Sequence, residues 1–449
     1  MTSTLAVPAD QTSNAAAPAG ELVTAELDEL IIGRALAFPL RDAAGSVLVG
    51  EGEALTPDGK RALKERGIGL VRLHPQDVGR LTFREESERR PDPLHLGSEA
   101  TRQLDEIVDA GLLDVVNVGP AVSEQMAIHG PAPYDPLQQD YLQKQQRAGG
   151  DMLNAMLRDA AAGQRLDGET VTKLAENLLR AMTDDADCVL SIAVESDHRS
   201  IAEHAVRMAV LGMALGVEMR LDRQNVQRIG MAGLVHDLGM IRVPEAIRHA
   251  THKLSHAEFL EITKHPMHTL ALLDRTPGLS SQVSIAAYQV HERPNGTGYP
   301  RGRAGDRIHP FARILHVADM YCALTAPRPF RRALMPYAAM ECLLGLAKKG
   351  MVDAGVMRLL LNILSLFPIG SYVLLSDGSL GRVLRSNRDS YWAPVVQLVQ
   401  TAEGQVVPAD ASDVIVDLSI SDLRVTQALP TPGRGEIALT PEIAGHHGC

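Results

Sequence analysis

The sequence predicts a multidomain, mainly α protein: a central helical bundle flanked by a small N-terminal α/β module and a small C-terminal β-barrel-like module. Three observations predict it. Apolar residues recur at helical spacing through the middle of the chain, at Val171, Leu174, Leu178 and Met182 and again at Val206, Ala209, Val210 and Met213. Short runs bounded by turn residues lie on either side of that region. The 449 residues, 45% hydrophobic and 22% charged, suit a globular chain of two or three domains.

Residues 1–20, rich in Ala, Thr, Ser and Pro, read as a disordered leader. Residues 21–80 read as the small α/β module. There the runs Ala35–Leu40 and Ser46–Val49 flank the turn Asp42-Ala43-Ala44-Gly45, Thr56-Pro57 opens a helix, and Gly69–Leu73 is a strand. Residues 81–140 form a linker and connecting helices, beginning with a proline-interrupted charge run from Arg84 to Pro93. The bundle spans 141–366 and contains a capping box, Ser255 with Glu258, ahead of Phe259 and Ile262. From 367 to 428 the pattern turns to strands, at Tyr372–Leu375, Arg382–Leu384 and Pro394–Val399, separated by turns such as Asp377-Gly378. Residues 429–449 read as a flexible tail whose His446-His447 pair is a polar end.

A formal charge of -11 argues against general nucleic-acid or anionic-membrane binding, which needs a broad excess of Lys and Arg. Any phosphate-bearing ligand must therefore meet a local basic cluster. Cys188, Cys322, Cys342 and Cys449 form no C-x-x-C pair, so neither a zinc ribbon nor a disulfide framework is expected, and a reducing cytoplasm fits. The N-terminus lacks the order of a signal peptide, and the most apolar stretches are broken by Arg207, Arg358 and Asn362, so no membrane span is expected.

Chemistry concentrates in the bundle, where His204, His236, Asp237, His265, His291 and Asp319 lie in or beside apolar helical stretches. Imidazole with carboxylate suits borderline first-row metals, and an Asp can bridge two ions through its two oxygens. A lone histidine on a helix is more often a core residue donating to a carbonyl, and His198, His249, His252, His256, His268, His309 and His316 are read that way. The pair His236-Asp237 is harder to dismiss, because two polar groups together end a buried apolar segment.

His236-Asp237-Leu238-Gly239, His265-Pro266, the run from His291 through Glu292 to Pro300, Val317-Ala318-Asp319 and Arg328-Pro329-Phe330-Arg331 occur in that order. This set resembles the HD-GYP phosphohydrolases, over roughly half the chain, and ordered motifs are far more specific than any one of them. The resemblance implies a helical bundle with a di- or trinuclear site that hydrolyses cyclic di-GMP to a linear dinucleotide or to GMP. Carried across, His204 matches the first metal ligand. His236 and Asp237 match the pair that names the superfamily and the catalytic centre, with Asp237 bridging. His265 and His291 hold the second ion, and Asp319 closes the first ion's shell. Two divalent first-row ions, Fe or Mn, are the implied cofactors. The Gly298-Tyr299-Pro300 loop matches the segment behind the second half of the family name, associated with signalling-protein contacts and with shaping the substrate pocket.

The sequence also departs from the family. Val290 stands where members commonly carry the first of two consecutive histidines, and Met240 replaces a lysine after the His-Asp pair. Asn295 replaces an Asp ahead of Gly296, and Ser200 occupies a place where some members supply a Glu, which disfavours a third ion. Against this, Arg293, Arg301, Arg303, Arg307, Arg313, Arg328, Arg331 and Arg332 cluster in an otherwise acidic chain, and guanidinium forks suit phosphate oxygens. Arg328, Arg331 and Arg313 are the expected phosphate contacts, Arg303 and Arg307 a solvated face. Tyr299 is expected to stack on a guanine base, with ordinary packing as the alternative.

The leading expectation is a phosphodiesterase for cyclic di-GMP. The other is a degenerate module that binds the cyclic dinucleotide or a protein partner without turnover, which Val290 and Met240 favour. Both admit a homodimer.

Overall fold

The computed structural model describes residues 22–30, 36–81, 103–104, 106–108, 110–111, 113–195, 200–252, 254–328, 331–388, 390–408 and 414–439. The leader, the charge run at Arg84–Pro93, His198, Pro329, Phe330 and the His446-His447 pair lie outside these residues.

The N-terminal module is a four-stranded antiparallel sheet of β1 (Val23–Glu26), β2 (Leu40–Arg41), β3 (Val47–Val49) and β4 (Leu70–Leu73), in the order β1-β4-β2-β3. Two helices accompany it, α1 (Pro57–Glu65) and α2 (Pro75–Leu81). Thr56 caps α1 by accepting from Gly59 N, and Pro57 fills the first turn, where a missing N–H costs nothing. Leu27, Leu40, Leu63, Val71 and Leu73 give the module its own core. Of the strand expected over Ala35–Leu40, only Leu40 is strand among the described residues, in β2, while β1, in which exposed residues follow Val23 and Ala25, and the helix α2 are elements that sequence reading passed over.

The bundle comprises α3 (Pro136–Ala161), α4 (Gly168–Asp184), α5 (Ala186–Glu195), α6 (Ile201–Glu218), α7 (Arg223–Val235), α8 (Glu245–Arg248), α9 (His256–Ile262), α10 (His265–Asp274), α11 (Ser281–Gln289), α12 (Pro310–Leu324), α13 (Pro336–Lys348) and α14 (Ala354–Leu364). At its centre is α6, buried from Ala205 through Val217 without interruption, as a helix apolar all round must be. It packs on α3, α4, α5, α7, α12 and α14. The Ser255–Glu258 capping box forms at the start of α9.

A second antiparallel sheet follows, of β5 (Tyr372–Leu375), β6 (Leu380–Arg385), β7 (Val395–Gln400), β8 (Ile415–Asp417) and β9 (Val425–Leu429), ordered β8-β7-β6-β5-β9. Among the described residues β8 and β9 do not pair, so the module is an open sheet rather than the expected barrel. Its inner face, Val373, Leu375, Val383 and Val396, joins the bundle's core. A buried ion pair fixes the junction: Arg385 grips both oxygens of Asp185 at 2.9 Å and donates to Ala132 O at 2.6 Å. The tail is pinned as far as Ile437, which pairs with Leu334 and exchanges backbone bonds with Ala333 and Met335. None of the described helices is long and apolar enough to cross a membrane.

Candidate metal centre

The predicted ligands converge where five helices begin, end or pass. His204 lies in the first turn of α6, His236 is the C-cap of α7 with Asp237 next, His265 opens α10, His291 follows the C-cap Val290 of α11, and Asp319 projects from the middle of α12. They form two sets, His204 with His236 and Asp237, and Asp237 with His265 and His291, each with donor atoms within 4.8 Å of one another. Asp237 belongs to both. Its Oδ1 lies 3.3 Å from His236 Nε2, 3.2 Å from His265 Nε2 and 4.0 Å from His291 Nε2. Asp319 joins the sets, with Oδ1 3.0 Å from His204 Nε2 and Oδ2 3.5 Å from His291 Nδ1.

The donor set fits a cation. His236 Nδ1 lies 2.8 Å from Gly233 O and His265 Nδ1 lies 2.7 Å from Ile262 O. A carbonyl only accepts, so in each bond Nδ1 carries the proton and Nε2 of the neutral ring turns a lone pair to the centre. His236 Nε2 is buried without a hydrogen-bond partner. Nε2 of His265 and Nε2 of His291 face each other at 3.0 Å, a repulsion of lone pairs unless a proton or cation lies with them.

Electrostatics agree. Burial works against charge at His236, but Asp237 and Asp319 outweigh it and raise the ring to about 9. Asp237, in spite of its burial, is held well below the usual carboxylate range by His236 and His265, and Asp319 likewise by His204 and His291. His291 shifts the other way, pushed down to about 3 by burial and by His265. Two ionised carboxylates that draw a proton onto a buried imidazole will also draw a divalent cation in its place.

Local packing explains how the turn at Asp237 reaches α10. A Cβ at Gly239 would sit 2.1 Å from His265 O and 2.5 Å from Thr269 N, so only glycine permits this approach. Thr269, one turn along α10 from His265, donates to His236 O at 2.8 Å and accepts from Gly239 N at 2.9 Å. Sequence reading missed Thr269. Its signal was a hydroxyl four residues after a ligand on the same helix face.

The motif loop packs against the second set. Tyr299 stacks on His291, ring centroids 4.9 Å apart and planes 18° from parallel, and Phe259 meets its edge. Gly298 allows this, since a Cβ there would lie 2.4 Å from both Arg293 N and His291 O. Pro300 completes the loop and is buried. Arg293, half-buried beside Tyr299, is a cation near the centre that the sequence singled out only as part of the basic cluster.

Of the three arginines expected at phosphate, Arg331 and Arg313 are engaged by protein groups and Arg328 is exposed. Arg331 directs its guanidinium to the carbonyls of Ala323, Leu324 and Arg332, capping the end of α12. Arg313 reaches Asp353 Oδ2 at 3.3 Å. Arg328 is exposed, its backbone paired to that of Arg331. Val290 is fully buried in the main core, with its carbonyl 2.9 Å from His316 Nδ1. Ser200 caps α6 reciprocally with Glu203. Asn295 holds Thr297 N and Oγ1 in a local turn.

Comparison with known proteins adds the lineage. Residues 188–356 match the HD domain family. A cyclic di-GMP phosphodiesterase of Pseudomonas aeruginosa is 30% identical over 262 residues, 58% of this chain and 63% of that protein. A 3'3'-cGAMP-specific phosphodiesterase of Vibrio cholerae is 32% identical over 37% of this chain and 39% of its own length. A cyclic di-GMP phosphodiesterase of Borreliella burgdorferi is 26% identical over 44% and 51%. The chain thus spans about half the length of the curated relatives it matches. The stretch 188–356, where the ordered motifs converge on one centre, thus matches the HD domain family.

Proposed function

We propose that this chain is a metal-dependent phosphodiesterase acting on a cyclic dinucleotide, with cyclic di-GMP as the leading substrate. The observation that carries the reading is the sharing of Asp237 between two histidine sets. Relatives named for cyclic di-GMP and for 3'3'-cGAMP have the cyclic dinucleotide in common, and the same class is assigned here.

His204, His236, Asp237 and Asp319 would hold one ion, and Asp237, His265 and His291 the other, Fe or Mn being suited to imidazole with carboxylate. Bound divalent ions supply Lewis acidity toward water and phosphate oxygens. The remaining work belongs to the chain. The carbonyls of Gly233 and Ile262 fix the tautomers of His236 and His265, so their lone pairs need no reorientation. Tyr299 orients His291 by stacking and brings an aromatic surface to the centre, where a guanine base would pack. Arg293 and the exposed Arg328 supply cations for a phosphate backbone, whereas the bonds of Arg331 favour holding the Arg328 turn in place.

A second reading, binding without turnover, is favoured by Val290, a buried apolar residue beside His291, and by Met240. One experiment separates the two. Protein purified without oxygen and loaded with Fe or Mn is incubated with cyclic di-GMP, and products are separated while calorimetry follows binding. Linear dinucleotide or GMP that depends on metal supports the enzyme; binding with no product supports the module.

A further inference from the structure

The N-terminal module meets the bundle on both sides of Tyr299. Lys60 of α1 is only 7% exposed, and its Nζ donates to three carbonyls: Asp28 O at 3.1 Å and Leu30 O at 3.1 Å in its own module, and Arg301 O at 3.2 Å, 241 residues away. A buried ammonium with three carbonyl acceptors is a satisfied group, and here one acceptor belongs to the loop that carries Tyr299. On the other side α2 packs against α9, the helix of Phe259, whose ring meets Tyr299 edge-on.

From Arg301 a short chain of bonds leads to the metal centre. Arg301 N donates to Glu292 Oε1 at 2.7 Å and Arg303 N to Oε2 at 2.8 Å, so the buried Glu292 carboxylate closes the loop from Tyr299 to Arg303 back onto the residue after His291. Arg301 Nε also donates to Tyr288 Oη at 3.1 Å, on α11. The loop therefore returns twice to the element that presents His291, and Lys60 fixes its outer turn.

We propose that the N-terminal module braces the Tyr299 loop and that Lys60 is a positioning residue for His291. Lys60 touches no ligand. It anchors Arg301 O, the two loop amides then hold Glu292, and Tyr299 is kept stacked on His291. Undocking the module frees the outer turn and loosens the His265–His291 set, leaving the set at His204 and His236 intact. The module is thus a structural input to the second ion's site, a role that rests on the metal-centre reading above.

The test uses the full chain and two readouts. Hydrogen exchange of the metal-free protein reads residues 296–307 directly and needs neither metal nor turnover. Calorimetric titration with Mn²⁺ reads the two equivalents separately. Lys60→Met is expected to speed exchange in 296–307 by about tenfold and to weaken the second Mn²⁺ equivalent by about tenfold, the scale of one hydrogen bond to a charged donor. The first equivalent stays unchanged. Lys60→Arg, which restores a cationic donor, recovers part of both effects. Arg61→Met, which removes the exposed Arg61–Asp58 pair on the same helix without touching the Arg301 carbonyl, leaves the second equivalent at the wild-type value. Should Lys60→Met expose residues 57–73 themselves, Lys60→Gln keeps a neutral donor and gives intermediate exchange. Wild-type exchange in 296–307 for both Lys60→Met and Lys60→Gln overturns the brace, as does Arg61→Met reproducing both effects. If the wild type binds no Mn²⁺, the metal-centre reading fails while the exchange comparison still decides the brace.

Discussion

Asp237 Oδ1 lies 3.2 Å from His265 Nε2, so the end of α7 and the start of α10 meet at a single carboxylate that also faces His236. Removing that carboxylate should dissolve both ligand sets together. Asp237→Ala is expected to bind less than a tenth of the wild-type metal after gentle purification, measured by elemental analysis, since the second set keeps only two imidazoles and the first loses one of its two carboxylates. Equal metal contents in variant and wild type would remove the basis for a shared ligand.

Gly239→Ala should act on the same junction without touching a ligand. The added methyl would meet His265 O and Thr269 N at less than contact distance, so α10 must shift, at a cost of about 1–3 kcal/mol. The expected outcome is a lower melting temperature together with weakened binding of the Mn²⁺ held by His265. A variant with wild-type melting and affinity would mean that the turn and α10 can separate freely.

Val290→His places an imidazole in a site that is fully buried in the apolar core. Without metal the substitution should destabilise the fold, because a buried polar group lacks a partner. If the side chain reaches the second ligand set, Mn²⁺ should restore the melting temperature and raise metal stoichiometry in the same titration. Destabilisation that added Mn²⁺ leaves untouched would place position 290 outside the ligand shell.

Asp187 gives a pH dependence away from the metal centre. Burial raises its carboxyl to about 6, with Asp185 adding to the rise and Arg385, Arg388 and the hydroxyl of Ser386 opposing it. Because the folded value exceeds the ordinary 3.8, the folded state binds the proton more tightly. The contribution to stability is therefore complete below about pH 4 and is lost as pH rises through about 6. Asp187→Asn, which mimics the protonated form, should match the wild type near pH 4 and exceed it by up to about 3 kcal/mol at pH 8. Denaturant unfolding at both pH values checks this; a constant difference between them would contradict it.

The candidate ligands were legible in the sequence through the ordered motifs that resemble the HD-GYP phosphohydrolases; residue type alone did not single them out, since His309 and His316 also stand at or in an apolar helix. Elements with strong local signals were legible too, such as α1 behind Thr56-Pro57 and α9 behind Ser255. What the sequence did not disclose depends on pairings distant along the chain. Nothing local marks Lys60 as bound to Arg301, 241 residues away. The four residues of β1 carry too few alternations to read as a strand. The open C-terminal sheet has the same strand signals as a small barrel, since closure is decided by whether its two edge strands meet.

Metal-dependent cleavage of a cyclic dinucleotide is measured most directly as product formation by the full chain. Wild-type protein loaded with Fe or Mn, the same protein stripped by chelator, and metal-treated Asp237→Ala are each incubated with cyclic di-GMP and, in parallel, with 3'3'-cGAMP, and the products are separated. The expected result is a linear dinucleotide or mononucleotide from cyclic di-GMP with the loaded wild type alone, and none from the stripped protein or the variant. Loaded wild-type protein that retains its metal and leaves both cyclic dinucleotides intact would contradict it.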